Sequence, residues 1–176
     1  MKTVTALFTG AVLTLFLFAL NSAYAERTKE TEITEKSFGC LLGGNKIGNT
    51  YISNPDPEKL REAMRIYKDN VQDTDYPVGT ILQLFPDQAM VKRTAEQFPL
   101  TNGWEFFEFE ILQGKTLIRA RGDRVSSRNS VPCMACHQNA PKFDFVCGKN
   151  HGCAPLSFSE QKIAEIQASD ERCPKK

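Results

Sequence analysis

The chain has 176 residues, with 22 Lys and Arg against 21 Asp and Glu, a formal net charge of +1. So even a balance gives no basic surface for nucleic acid and no polybasic face for a membrane. The length suits one domain with its own core.

The first segment, "MKTVTALFTGAVLTLFLFALNSAYA", carries Lys2 as its sole charge and is largely apolar from Ala6 to Leu20. It closes on Ala23-Tyr24-Ala25, small residues at the two positions a signal peptidase reads. Residues 1–25 therefore read as a secretory signal, cleaved after Ala25. The apolar run is short for a membrane span, which needs ~20 residues. Removing Lys2 from the 22 basic residues leaves a mature chain, 26–176, in balance with its 21 acidic ones. No second apolar run of that length follows, so no membrane association is expected after cleavage, and the location predicted is the periplasm.

Residues 26–37, "ERTKETEITEKS", are polar and predict a mobile lead-in. "LLGGNKIGNTYISNPDP" has three glycines and two prolines and reads as loop, so 26–55 is taken as lead-in and loop and 56–176 as the domain proper. Asp56-Pro57 opens a helix, Asp56 as cap and Pro57 in the first turn. Leu60, Ala63, Met64 and Tyr67 form its apolar stripe, and it should end near Asn70. "YPVGTILQLF" predicts a turn and then a strand, broken at Pro86-Asp87. "AMVKRTAEQF" fits a short strand or a helix. "GWEFFEFEI" is the clearest strand, with Phe107, Phe109 and Ile111 on one face and Trp104, Phe106, Glu108 and Glu110 on the other. "LQGKTLIRARG" turns at Gly114 and returns as a strand from Thr116 to Arg121, making a hairpin. A last helix runs from Ser159 to Ala168, capped by Ser157 or Ser159, with Ile163 and Ile166 inward. The fold class is α+β: mainly antiparallel β-sheet with an N-terminal and a C-terminal helix.

Between the hairpin and the last helix lies "VPCMACH". Cys133, Cys136 and His137 form a Cys-x-x-Cys-His unit, the attachment pattern of c-type haem. Two thiols two residues apart reach both vinyl groups from one turn of chain, and the next histidine then lies under the iron. One covalent haem c is the leading reading, and export agrees with it. Three others stay open. A thiol–disulfide oxidoreductase would place the two cysteines in a thioredoxin-like βαβ unit, and none precedes Cys133. A zinc site would need Cys133, Cys136, His137 and one of His151, Cys147 or Cys153, at loose spacing. A plain structural disulfide is the fourth.

If Cys133 and Cys136 serve a cofactor, Cys40, Cys147, Cys153 and Cys173 remain. In an exported chain they should pair, in one of three ways. Cys147 and Cys153 are neighbours, while Cys40 and Cys173 could tie the N-terminal segment to the C-terminal tail.

The sixth iron position decides what such a haem does. No methionine follows Met134. His151, the other histidine, could be a distal ligand, giving a six-coordinate electron-transfer haem, or be an exposed loop residue. Met64 and Met90 could ligate but fit core packing. An open distal site for a small gas such as NO or CO, or for small-molecule redox chemistry, is therefore the first expectation.

"YPVGTILQL", "GWEFFEFEI" and the late "CMACH" followed by "DFV" resemble the cytochrome P-460 and cytochrome c′-beta family over about residues 57–147. The extra cysteines set this chain apart as a branch. The resemblance implies a mostly antiparallel β fold, commonly dimeric. It also implies thioether bonds at Cys133 and Cys136 and five-coordinate iron on His137. Hydroxylamine-oxidising members carry a haem-cross-linked lysine on the strand opening Gly-Thr. Counting from Gly79 puts Leu84 there, and Lys92 would serve only with the alignment shifted, so enzyme activity is left open. The c′-beta members lack that lysine and bind gases beneath phenylalanine caps, for which Phe85, Phe106, Phe107 and Phe109 are candidates, against core packing. Arg119, Arg121, Arg124 and Arg128 could pair with haem propionates, with Arg119 and Arg121 on one strand face. Glu108 and Glu110 are candidate distal carboxylates. Partners would be a small gas or a redox protein. The remaining alternative is a haem-free secreted protein held by disulfides or zinc.

Overall fold

A computed structural model of the chain describes residues 32–127 and 130–175. The segment read as a signal, and Arg128, lie outside these residues. Ile33–Lys176 form one compact unit.

The unit is built on a six-stranded antiparallel sheet whose strands lie side by side in chain order. They are β1 (Asn45–Ile47), β2 (Thr50–Ser53), β3 (Ile81–Gln83), β4 (Gln88–Lys92), β5 (Trp104–Leu112) and β6 (Lys115–Gly122). Among the described residues three α-helices accompany it: α1 (Pro57–Asp69), α2 (Cys133–His137) and α3 (Glu160–Ala168). No helix among the described residues is long and apolar enough to cross a membrane.

Two expectations need correction. The stretch read as loop forms the β1–β2 hairpin, with Gly48 at a φ of +57° in its turn. Glycine content hid two strands of three and four residues that exist because β2 pairs with β3. The polar lead-in also contributes to the core. Ile33 and Phe38 are 5% and 2% exposed, and Phe38 packs on Phe107 and Phe109 at ring distances of 4.9 and 4.5 Å. The ambiguous segment after Asp87 is a strand, because Met90 and Phe106 pair across β4 and β5.

Alternation along these strands feeds two cores. On one face Ile52, Leu82, Met90 and Phe106 are successive cross-strand partners, a continuous apolar row over β2, β3, β4 and β5. Helix α1 lies over β1 and β2 and adds Ala63 and Ile66 to this core, with Leu60, Met64 and Tyr67 packed at its edge. The opposite face carries Ile81, Ala89, Val91, Phe107 and Phe109, covered by Ile33 and Phe38.

Local chemistry sets the helix ends. The Asp56 carboxylate accepts from the N–H groups of Glu58 (2.9 Å) and Lys59 (3.3 Å), and Pro57 occupies the first turn. Asn70 closes α1 in the left-handed conformation, φ +51°. The Ser159 hydroxyl accepts from the Lys162 N–H at the start of α3. The C-terminal tail returns to the N-terminal turn through the Cys40–Cys173 disulfide. Beside it the buried Asp170 carboxylate accepts from the Leu41 N–H (2.8 Å) and the Arg172 side chain (2.8 and 2.9 Å). Arg172 also donates to the carbonyls of Pro86 (2.9 Å) and Phe38 (3.3 Å).

Candidate functional site

The six cysteines divide cleanly. Cys40 pairs with Cys173 and Cys147 with Cys153, while Cys133 and Cys136 are free thiols. The two free thiols and His137 occupy α2, a single helical turn entered from Pro132. Cys133 is half-buried against the α1-side core and Cys136 is exposed.

Burial pushes the Cys133 thiol up; a backbone hydrogen bond opposes this, and the charges of Glu108 and Cys136 add to it. A thiol kept protonated is a poor nucleophile. The sheet pairings are all antiparallel, so the described residues supply no βαβ frame for disulfide exchange.

His137 is held from two sides. Its ring packs on Phe106 at 5.2 Å. Its Nδ1 lies 2.7 Å from the Phe145 carbonyl. A carbonyl only accepts, so Nδ1 carries the proton and the lone pair of the neutral ring sits on Nε2. Among the described residues no hydrogen bond to Nε2 is present. Burial pushes the imidazole down, partly offset by the Phe145 bond, which favours the neutral ring a metal needs.

His151 is placed differently. It is 4% exposed, so it is not the exposed loop residue weighed as one alternative. Its ring stacks on Phe143 at 3.8 Å and 2°. Its Nδ1 donates to the Val146 carbonyl at 2.7 Å, and its Nε2 meets the Asn70 side-chain amide at 2.7 Å. Whichever way the amide is turned, the Nε2 lone pair is unavailable to a metal. The two histidines thus hang from consecutive carbonyls, Phe145 and Val146, one with a free ring nitrogen and one without.

This segment is itself pinned. Asp144 is 4% exposed and accepts from Lys92 Nζ (2.8 and 2.7 Å), the Tyr76 N–H (2.9 Å) and Asn102 (2.8 Å). Trp104 Nε1 donates to the Asp144 carbonyl at 2.6 Å. Burial pushes the Asp144 carboxyl up, against the pull of Lys92 and its other donors. Asp144 and Phe145 both take positive φ, +51° and +57°. Gly152, φ +96°, meets the other side of the motif: a Cβ there would lie 2.5 Å from the Asn139 carbonyl. The Cys147–Cys153 loop therefore abuts the chain two residues past His137.

The remaining candidates scatter. Phe107 and Phe109 lie on the sheet face opposite α2 and cannot cap a group held there. Phe106 touches His137, on the side the imidazole occupies. Phe85 packs on Phe158 at 6.0 Å. A β-bulge between Glu108 and Phe109 separates Arg119 from Arg121, which simple alternation puts on one face. Arg121 bonds Glu105 (2.6 Å) and the Ile33 carbonyl (3.0 Å) on the far face, while Arg119 pairs with Glu110. Arg124 is exposed in the loop after β6. Glu108 is the candidate carboxylate whose charge reaches Cys133. Lys92 is 4% exposed and committed to Asp144, so it is not available for a cross-link, and Leu84 offers only a carbonyl to Gln167. Met90 lies in the α1-side core and Met64 at its edge.

The donor set fits a covalent haem: two unpaired thiols and an imidazole with Nε2 free, on one turn. It fits zinc poorly. Cys147 and Cys153 are bonded to each other, His151 has both nitrogens engaged, and the described residues hold no cluster of three or more metal-ligating side chains. Sequence reasoning passed over Asp144 and Asn70. Asp144 stands in the quoted "DFV", and nothing in its neighbourhood marks it as the partner of Lys92.

Comparison with family models, curated proteins and solved structures finds no match to this chain.

Proposed function

We infer that this is an exported mono-haem c protein whose iron is ligated by His137 and open on its distal side. Its role would be to bind a small gas or pass electrons to a small molecule. The observation that carries the reading is the state of His137: Nδ1–H is given to the Phe145 carbonyl and Nε2 is left free beside two unpaired thiols. An imidazole whose other nitrogen is bonded to a carbonyl is the usual form of an axial or metal-bound histidine. Two disulfides elsewhere suit an oxidising compartment outside the cytoplasm.

A bound haem would supply a redox-active iron able to take up a small ligand. Cys133 and Cys136 would fix its edge, His137 would orient it, and Phe106 would exclude water from the imidazole side. The engaged nitrogens of His151 favour the open distal site over a six-coordinate carrier. The c′-beta likeness of the sequence points the same way.

The test is the mass of the exported protein made with haem-attachment machinery. The intact chain should gain one haem, and Cys133→Ala with Cys136→Ala should gain none while still folding. An intact chain of unmodified mass would end the haem reading.

A further inference from the structure

The ion pair of Lys92 and Asp144 has no part in attaching a cofactor, yet it is buried within one residue of the group that orients His137. Lys92 stands at the end of β4 and is 5% exposed at its side chain; Asp144 is 1% exposed. Burying two charges is costly, and two apolar residues would stabilise the core at least as well. What the pair supplies is direction. Lys92 and Asn102 grip the carboxylate, and Trp104 grips the carbonyl of the same residue. The Asp144 carbonyl belongs to the peptide that leads into Phe145, so its orientation is fixed from both ends. The next carbonyl, 2.7 Å from His137 Nδ1, is fixed with it.

We propose that Lys92 and Asp144 are positioning residues for His137, holding the Phe145 carbonyl where it takes the Nδ1 proton and leaves Nε2 to the iron. This rests on the haem reading above. Loss of the grip lets the carbonyl drift, weakens the Nδ1–H bond and makes the imidazole a poorer donor to the metal. The electron donation the iron would receive then changes through the ligand alone, with no contact to the haem altered.

The test compares the haem-loaded full chain with Lys92→Met, which keeps the buried stem and removes the charge. Asn102→Ala, which removes one of the carboxylate's donors and leaves the ion pair, is the milder second variant should Lys92→Met fail to fold. The readouts are the iron–imidazole stretching band of the ferrous protein by resonance Raman and the midpoint potential. Both variants should move the band to lower frequency and the potential upward, Asn102→Ala by the smaller amount. Folded variants with wild-type band and potential would overturn the proposal while leaving the haem reading intact. A wild-type chain that carries no haem would overturn both.

Discussion

Asp144 is where three other segments of the chain converge. Its carboxylate and carbonyl receive Lys92 from β4, Asn102 and Trp104 from the entry to β5, and the Tyr76 N–H from the segment after α1. Trp104→Phe should keep the packing of the ring on Tyr76 and remove the indole donor. A buried carbonyl left without a partner costs about 1–3 kcal/mol, so urea unfolding should show a loss in that range, with haem content unchanged. A loss under a few tenths would mean that the Asp144 carbonyl is satisfied some other way. The legibility of residues follows the same line. Cys133, Cys136 and His137 could be picked out because they form one contiguous Cys-x-x-Cys-His unit. Lys92 and Asp144 are 52 positions apart, and no local pattern joins a lysine at a strand end to an aspartate in a tight turn.

At the scale of elements, strong periodicity was readable and weak periodicity was not. Helix α1 announced itself by Asp56, Pro57 and a stripe at helical spacing, and β5 by its alternating aromatics. The pairing Cys147–Cys153 and the tie from Cys40 to Cys173 were among the arrangements the sequence allowed. Strands β1 and β2 were hidden because three or four residues cannot show a period, and their extended form comes from their pairing with each other and from that of β2 with β3. The bulge between Glu108 and Phe109 was equally hidden. It inserts one residue into β6, so Arg119 and Arg121 part, and a shared arginine face for propionates does not exist. His151 was misjudged for a related reason. A loop with two glycines and two cysteines predicts exposure, but the disulfide folds it inward and Asn70, at the end of α1, closes over the ring.

Over the whole molecule, the two ends of the described chain are locked against one another beside β6. Burial alone would raise the Asp170 carboxyl. The hydrogen bonds from Arg172 and from the Leu41 N–H, with the Arg172 charge, hold it below the usual carboxylate range instead. A carboxylate whose folded value is depressed contributes stability above its unfolded value, near 4, and loses it as pH falls through the folded value. Asp170→Asn should therefore lower stability by roughly 3 kcal/mol at pH 6 and flatten the loss seen on acidification below pH 4. Urea midpoints at pH 6, 4 and 3 measure this. Parallel wild-type and variant curves would show that Asp170 carries no pH-linked stability. The Cys40–Cys173 bridge, spanning 133 residues, should be worth about 4 kcal/mol more by restricting the unfolded chain, which gives the lock two independent parts.

A haem proposed at α2 with its distal side open would show itself in the visible spectrum of the exported protein. Expected are a Soret band, a high-spin ferrous form that shifts on adding CO or NO, and the same spectra in His151→Ala. A low-spin ferrous form indifferent to CO and NO, lost on replacing His151, would contradict the open site. Absence of any Soret band in protein made with haem-attachment machinery would contradict the haem.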